Sequence, residues 1–334
     1  MARPDLQIHV RSSAPRWLFH DALSPVSYTS RSIDIGIIQP NSLEMDLQGT
    51  LRACQELHAG LTDVVAEEVA FVRTHKVDVI IGDIPPICFE IAAQAKIPSV
   101  AITNFTWDTI YRSYLDRYPG FSPLINQMTD FYSKATLGLA LPYPCEMSMF
   151  RRRNDIPWIT RLSSLTREQA RFAFDLPQSA KIILLSFGGL GLSSLPWKRL
   201  NELRDFFFVT TGPREILTGN LLVLAEAQRR YQDLLRAVDI IVTKPGYGIV
   251  ADVISHRVPI LYTERGEFAE YPKLVEALND CTTAEHIPQN MLLHGELERY
   301  LNRILSKKST WPKVRLDGAD MAAKSVLRVF EECA

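Results

Sequence analysis

Apolar residues fall along this chain in short, nearly continuous runs, separated by longer stretches in which they recur every three or four positions. The runs suit strands buried on both faces, and the longer spacing suits amphipathic helices. In the first half, LQIHVRSS (6–13) and SIDIGIIQP (32–40) read as strands. Residues 44–75 read as a long helical stretch with Leu47, Leu51, Cys54, Leu57 and Leu61 along one face. VDVIIGD (77–83) predicts a buried strand ending on Asp83, and IPPICFEIAAQAK (84–96) a turn and helix. IPSVAITNF (97–105) and ATLGLALP (135–142) predict two more strands.

Between 142 and 168 the pattern weakens around the basic run Arg151-Arg152-Arg153, and a linker is expected there. The alternation then restarts. KIILLSFGG (181–189), RDFFFVTTG (204–212) and VDIIVTKPGYG (238–248) each read as a strand running into a glycine turn. A helix from about Ile249 to Ser255 and a fourth strand, VPILYTE (258–264), follow. The tail from Gly318 to Cys333 reads as a helix with Met321, Val326, Leu327 and Phe330 available for burial.

Strands alternating with helices imply parallel sheets. At 334 residues the chain exceeds what one core organises. The expectation is an α/β protein of two Rossmann-like domains facing across a cleft. Residues 1–150 would form the first, 165–310 the second, and 311–334 a closing helix. Ligands of such sheets lie beyond the carboxyl ends of the strands, where the glycine turns fall.

A formal net charge of −1 offers no overall attraction to nucleic acid or to an anionic membrane, and neither partner is expected. The five cysteines are scattered without a CxxC pair, which fits small buried hydrophobes in a reducing compartment. Their spacing and that of the histidines builds no metal site. The amino terminus has no apolar signal region, and no run of about 18 apolar residues occurs, so a cytoplasmic protein is expected. There is no GxxxxGK[ST] loop, so kinase chemistry is not implied.

Candidate chemistry gathers at the glycine turns. In SFGG, Gly188 and Gly189 let backbone N–H groups approach an anion, and Ser186 adds a hydroxyl. In KPGYG, Gly246 and Gly248 flank Tyr247 at the start of a helix, whose unpaired N–H groups and positive dipole end suit a diphosphate. Lys244 is either a point charge at that site or a solvated lysine. Asp252, one turn on, is either an acceptor for ribose hydroxyls or a stabiliser of the first turn. ERGEFAEY brings Glu264, Glu267 and Glu270 onto one loop, either as sugar acceptors or as a solvated acidic face. In the first half, Asp83 and the run Asn104, Trp107 and Asp108 each follow a strand end, and Ser13 and Arg16 follow the first visible strand. All would line an acceptor cleft.

The runs GDIPPICFEIAA, IPSVAITNFTWDTIY, SFGG and TKPGYGIVADVI, with PILYTERGEFAEYPKLVEAL, resemble the glycosyltransferase-like domain at the amino terminus of plant L-arabinokinase and its free-standing bacterial relatives. The second half is more distantly similar to the peptidoglycan N-acetylglucosamine transferase family. The likeness runs from about Pro4 to Ala334 and is most specific from KPGYG to AEY. It implies a GT-B hexosyltransferase that takes a nucleotide-diphosphate sugar as co-substrate and uses no metal or other cofactor. By position, Gly246, Tyr247 and Gly248 match the phosphate-facing turn. Asp252 stands where a ribose-binding glutamate is usual, and Glu270 near the sugar contact.

Relatives begin with a strand and a GHGFGHA-like turn whose histidine is the usual general base, whereas this sequence begins at the segment that follows. Either the gene start lies further upstream, or the first domain is truncated with unpaired strand edges. Asp83 and Asp108 are the substitutes available for the base. Two other readings remain at this level, a non-catalytic nucleotide-sugar-binding or regulatory module, and another GT-B chemistry such as sugar-nucleotide epimerisation.

Overall fold

A computed structural model describes residues 6–19, 26–41, 44–187, 196–225, 230–308 and 311–333. The chain forms two compact units. The first comprises Met1–Ile38, Asp46–Ile156 and Asp320–Ala334, and the second Gln39–Met45 and Pro157–Ala319.

In the first unit, β1 (Ile8–Ser12) and β2 (Val26–Ser30) pair in parallel as a sheet of their own. Two helices follow, α1 (Leu47–Ala59) and α2 (Leu61–Thr74). The helical stretch expected over 44–75 thus breaks at Gly60, whose N–H closes on Leu57 O. Asp46 caps α1 by accepting from Gly49 N–H at 2.7 Å. The two-stranded sheet is tied to α2 by charge. Glu68, buried on α2, takes Arg11 of β1 at 2.5 Å and Arg31, just beyond β2, at 2.9 Å. A carboxylate so buried is tolerable because two guanidiniums satisfy it.

The remaining elements are β3 (Ile80–Gly82), α3 (Ile87–Ala95), β4 (Ser99–Thr103), α4 (Trp107–Arg112), α5 (Phe121–Ser133), β5 (Leu137–Ala140) and β6 (Arg153–Asp155). The four strands form a second parallel sheet in chain order. The strand expected to be buried at 77–83 is an edge, with Ile81 53% exposed.

The strand expected over 32–40 does not form; the second strand lies upstream in VSYTS. Backbone groups of 32–40 bond to helices instead. Thr50 Oγ1 accepts from Ile38 N–H at 3.0 Å, and Tyr111 donates to Gly36 O at 2.7 Å. Gly36 adopts φ +66° beneath the Trp107 ring, 3.3 Å from where a Cβ would stand. The alternating isoleucines are real, but a left-handed turn in their midst prevents a ladder.

The second unit opens with α6 (Arg167–Ala173), begun by a capping box between Thr166 and Gln169. Then come β7 (Lys181–Ser186), α7 (Trp197–Glu202), β8 (Phe206–Gly212), β9 (Ile216–Thr218), β10 (Leu221–Ala225), α8 (Tyr231–Ala237), β11 (Ile240–Thr243) and α9 (Tyr247–His256). β12 (Ile260–Tyr262), α10 (Tyr271–Cys281), β13 (Ala284–His286), α11 (Gln289–Leu293) and α12 (Glu298–Ser306) complete it. The strands form one sheet in the order β13-β12-β11-β7-β8-β10-β9, parallel except for the β9–β10 hairpin. One face is a continuous core in which Ile183, Leu185, Phe208, Val242 and Leu261 pack with Leu297, Leu301 and Ile304.

The last helix, α13 (Gly318–Cys333), counts with the first unit from Asp320 onward. It buries Ala322 and Val329, while Phe330, expected in the core, is 37% exposed. Where α13 begins, a Cβ on Gly318 would stand 2.1 Å from Pro157 O and 2.7 Å from Trp158 O. Backbone must shift to admit it, so Gly318→Ala is expected to cost roughly 1–3 kcal/mol. Thermal melts would show it as a clear fall in Tm; an unchanged Tm would contradict the close approach.

Candidate functional site

In open parallel sheets ligands sit beyond the carboxyl ends of the strands, where the strand order reverses. The chain enters at β7, runs to β8 and β10 on one side, then crosses to β11 on the other side of β7 and continues to β12. β8 and β12 thus lie on opposite sides of the β7–β11 pair, and the strand order reverses between β7 and β11. SFGG follows β7 and KPGYG follows β11. Ser186 and Thr243 are register partners, and Thr243 Oγ1 donates to Ser186 O and, at 3.0 Å, to Lys244 O. The Ser186 hydroxyl shares a 3.0 Å hydrogen bond with Tyr231 OH. Gly188 and Gly189 lie outside the described residues.

Gly246 is the N-cap of α9 in extended backbone (φ −139°), and no side chain caps the helix. Its first N–H groups have no acceptor within the helix. Among the described residues, apart from its own turn and chain neighbours, no atom lies within 4 Å of a Cβ placed on Gly248, and only Arg265 Nη1, at 4.0 Å, reaches one placed on Gly246. Neither glycine has a left-handed φ. Among the described residues, packing does not demand glycine here, and the first turn is left uncovered. Between them, Tyr247 turns inward and stacks on buried Trp158 with ring centroids 5.3 Å apart. Its hydroxyl is buried with no hydrogen-bond partner.

Two cations stand beside this turn. Half-buried Lys244 donates to Gln39 Oε1 at 3.1 Å. Burial, with the Arg265 charge alongside, lowers its ammonium to about 8. Arg265 Nη1 pairs at 2.6 Å with Glu270, which is buried at the N-cap of α10. Sequence reasoning missed Arg265. Its signal was a single basic residue in an acidic loop directly beyond a strand end.

The three glutamates of that loop do not share one face. Glu264 accepts from Gln289 N–H at the start of α11 and pairs with His286 at 3.0 Å. Glu267 is exposed, and only Glu270 lies with Arg265. The separation follows from α11, whose first N–H groups attract the nearest carboxylate.

Asp252, on the same helix as Gly248, accepts from Thr160 Oγ1 at 3.1 Å. Burial raises its carboxyl to about 6, against the opposing Thr160 hydrogen bond and Arg161 charge. A carboxyl whose folded value is raised favours folding while it is protonated, and that contribution is lost as pH rises through 6. Asp252→Asn keeps an acceptor for Thr160 without the charge. It is expected to gain Tm over wild type at pH 8 and to show little difference at pH 4; an equal offset at both would contradict the burial of this group.

In the first unit, Asp83 and the segment 104–108 follow the carboxyl ends of the adjacent parallel strands β3 and β4. Asp83 is exposed, and the protein packed around it, then the Asp34 charge, raise its carboxyl. Asp108 is 1% exposed, with one oxygen taken by Thr129 Oγ1 at 2.8 Å and the other without a partner. Asn104 is buried, and its carbonyl accepts from Cys145 N–H. Trp107 is a buried anchor, stacked on Tyr111, whose indole N–H reaches Asp34 Oδ2 at 2.9 Å. Ser13 and Arg16 are exposed beyond β1, on the separate two-stranded sheet. Asp34 was also missed from sequence, hidden as a polar position in an apolar run. Burial raises its carboxyl, and the Trp107 N–H opposes that.

No family model matches the chain. It is 27% identical over 323 residues to L-arabinokinase of Arabidopsis thaliana, a match covering 95% of this chain and 31% of that protein. The chain thus spans about a third of the length of that relative. Among solved structures it is similar to a Phytolacca americana glycosyltransferase complexed with UDP-2-fluoroglucose and pterostilbene. The TM-score is 0.56 at 12% identity, with 98% of this chain and 87% of that one covered. It is also similar to MurG of Acinetobacter baumannii, at TM-score 0.51 and 13% identity, with 94% and 88% covered. At such identities the likeness shows the fold, which is that of GT-B glycosyltransferases. No helix among the described residues is long and apolar enough to cross a membrane.

Proposed function

We propose that this chain is a glycosyltransferase that takes a nucleotide-diphosphate sugar and binds it in the second unit. One observation carries the reading: among the described residues nothing covers the first turn of α9 at Gly248, where the sheet order reverses. The diphosphate lies over Gly246 and Gly248 against the helix N-terminus, with Lys244 as an added charge. The ribose lies near Asp252 and the sugar near Glu270. As the glycosidic bond breaks, negative charge grows on the departing diphosphate, and fixed N–H dipoles stabilise it there. Transfer also needs a base to take the acceptor's proton. Exposed Asp83 suits that role better than Asp108, which is buried against Thr129.

Saturation-transfer NMR with UDP-, GDP- and TDP-sugars tests the reading. Magnetisation transfer to ribose and sugar protons is expected for one of them, and none for any would end the donor assignment. Lys244 adds a pH signature. A bound diphosphate favours its charged form, so affinity is expected to fall as pH rises above about 8 and Lys244 loses its proton before binding. Titrations of wild type and Lys244→Met at pH 7 and pH 9.5 would show the slope in the first and its absence in the second. Equal slopes would remove Lys244 from the site.

A further inference from the structure

Arg265 leaves the carboxyl end of β12 and lies over the Phe268 ring, 4.2 Å from its centroid. One guanidinium nitrogen, Nη1, both comes to 4.0 Å from a Cβ placed on Gly246 and pairs with Glu270 Oε2. Another, Nε, is buried with no acceptor among the described residues. A single carboxylate therefore leaves this guanidinium under-satisfied. Glu270 is 1% exposed, yet its place at the start of α10 favours a negative charge apart from Arg265.

We propose that Glu270 is a placeholder for the ligand's own anion. In the empty site it neutralises Arg265; a diphosphate settling over Gly246 draws Arg265 away, and the released Glu270 carboxylate accepts a hydrogen bond from the donor sugar. This rests on the donor reading above. Its physical basis is an exchange of anions on one cation. The multi-oxygen ligand satisfies more of the guanidinium donors than Glu270 does, and Arg geometry suits phosphate and carboxylate alike. Pairing with Glu270 also keeps Arg265 from standing unpaired among buried groups while the site is empty.

Inorganic pyrophosphate isolates the anion from base, ribose and sugar, and calorimetric titration measures its binding. Glu270→Gln frees Arg265 and is expected to bind pyrophosphate several-fold more tightly than wild type, whereas Arg265→Gln binds it more weakly. The double variant separates exchange from simple removal of a negative charge. In the Arg265→Gln background, Glu270→Gln is expected to bring no gain, so the two effects are strongly non-additive. If Glu270→Gln does not fold, Glu270→Asp, which draws the carboxylate back by one methylene, serves in its place with the same expected tightening. Weaker or unchanged binding in the Glu270 variant overturns the placeholder role, as does an equal gain with and without Arg265. Wild type that binds neither pyrophosphate nor any nucleoside diphosphate overturns the donor reading and the placeholder with it; wild type that binds them normally confines the failure to Glu270.

Discussion

Replacing Gly248 by leucine is expected to abolish nucleotide binding while leaving the protein folded. The position is exposed, and a Cβ there meets no atom of the described residues within 4 Å, so leucine extends into the space proposed for the diphosphate. Gly248 lies in the first turn of α9, where exchanging glycine for leucine gains up to about 0.8 kcal/mol of helix propensity. Stability and binding should therefore move in opposite directions. A loss of affinity beyond about a hundredfold corresponds to roughly 2.7 kcal/mol. Calorimetry for affinity and thermal melts for Tm check both halves. Unimpaired binding in a folded Gly248→Leu protein would place the nucleotide elsewhere.

The largest effect on stability is expected from Arg171→Met. Arg171 is 5% exposed and ties α6 to the sheet. It donates to Ala237 O at 2.9 Å, to Gln178 O at 2.5 Å and to Asp239 Oδ2 at 2.7 Å. The same carboxylate accepts Ile182 N–H of β7 at 2.7 Å and pairs with Arg167. Methionine fills similar volume but takes this donor from three carbonyls, Ala237, Gln178 and, at 3.3 Å, Pro177, and from one side of Asp239. Breaking a buried pair on one side costs about 3–5 kcal/mol. Urea unfolding should show a midpoint shift of that size, and a change under about 1 kcal/mol would mean water replaces the guanidinium freely.

The parts of this fold legible in the sequence are those set by local chemistry. Continuous runs such as KIILLS and DIIVT mark β7 and β11 because both strands are buried on both faces. The glycines of KPGYG mark the start of α9 for the same local reason. The β9–β10 hairpin was also within reach, since Gly219-Asn220, with Gly219 at φ +58°, is a tight-turn pair between apolar runs. Its signal was lost in the short flanking strands.

What sequence could not yield depends on pairing at a distance. The isoleucines of 32–40 alternate as a strand would, but Thr50 and Tyr111, from helices further along, claim their backbone groups. The ladder order that puts Ser186 beside Thr243 is set by which strands meet, not by either segment. Among the acidic residues of 264–270, the distribution of partners decides their roles: Gln289 and His286 take Glu264, and Arg265 takes Glu270. Asp34 gains its interest only through Trp107, 73 positions away in the chain.

A crystal structure with a bound nucleoside diphosphate tests the central claim most directly. Its phosphate oxygens should lie within hydrogen-bonding distance of the Tyr247 and Gly248 N–H groups, with the ribose toward Asp252. A nucleotide seated away from the start of α9, with that turn left open, would contradict it.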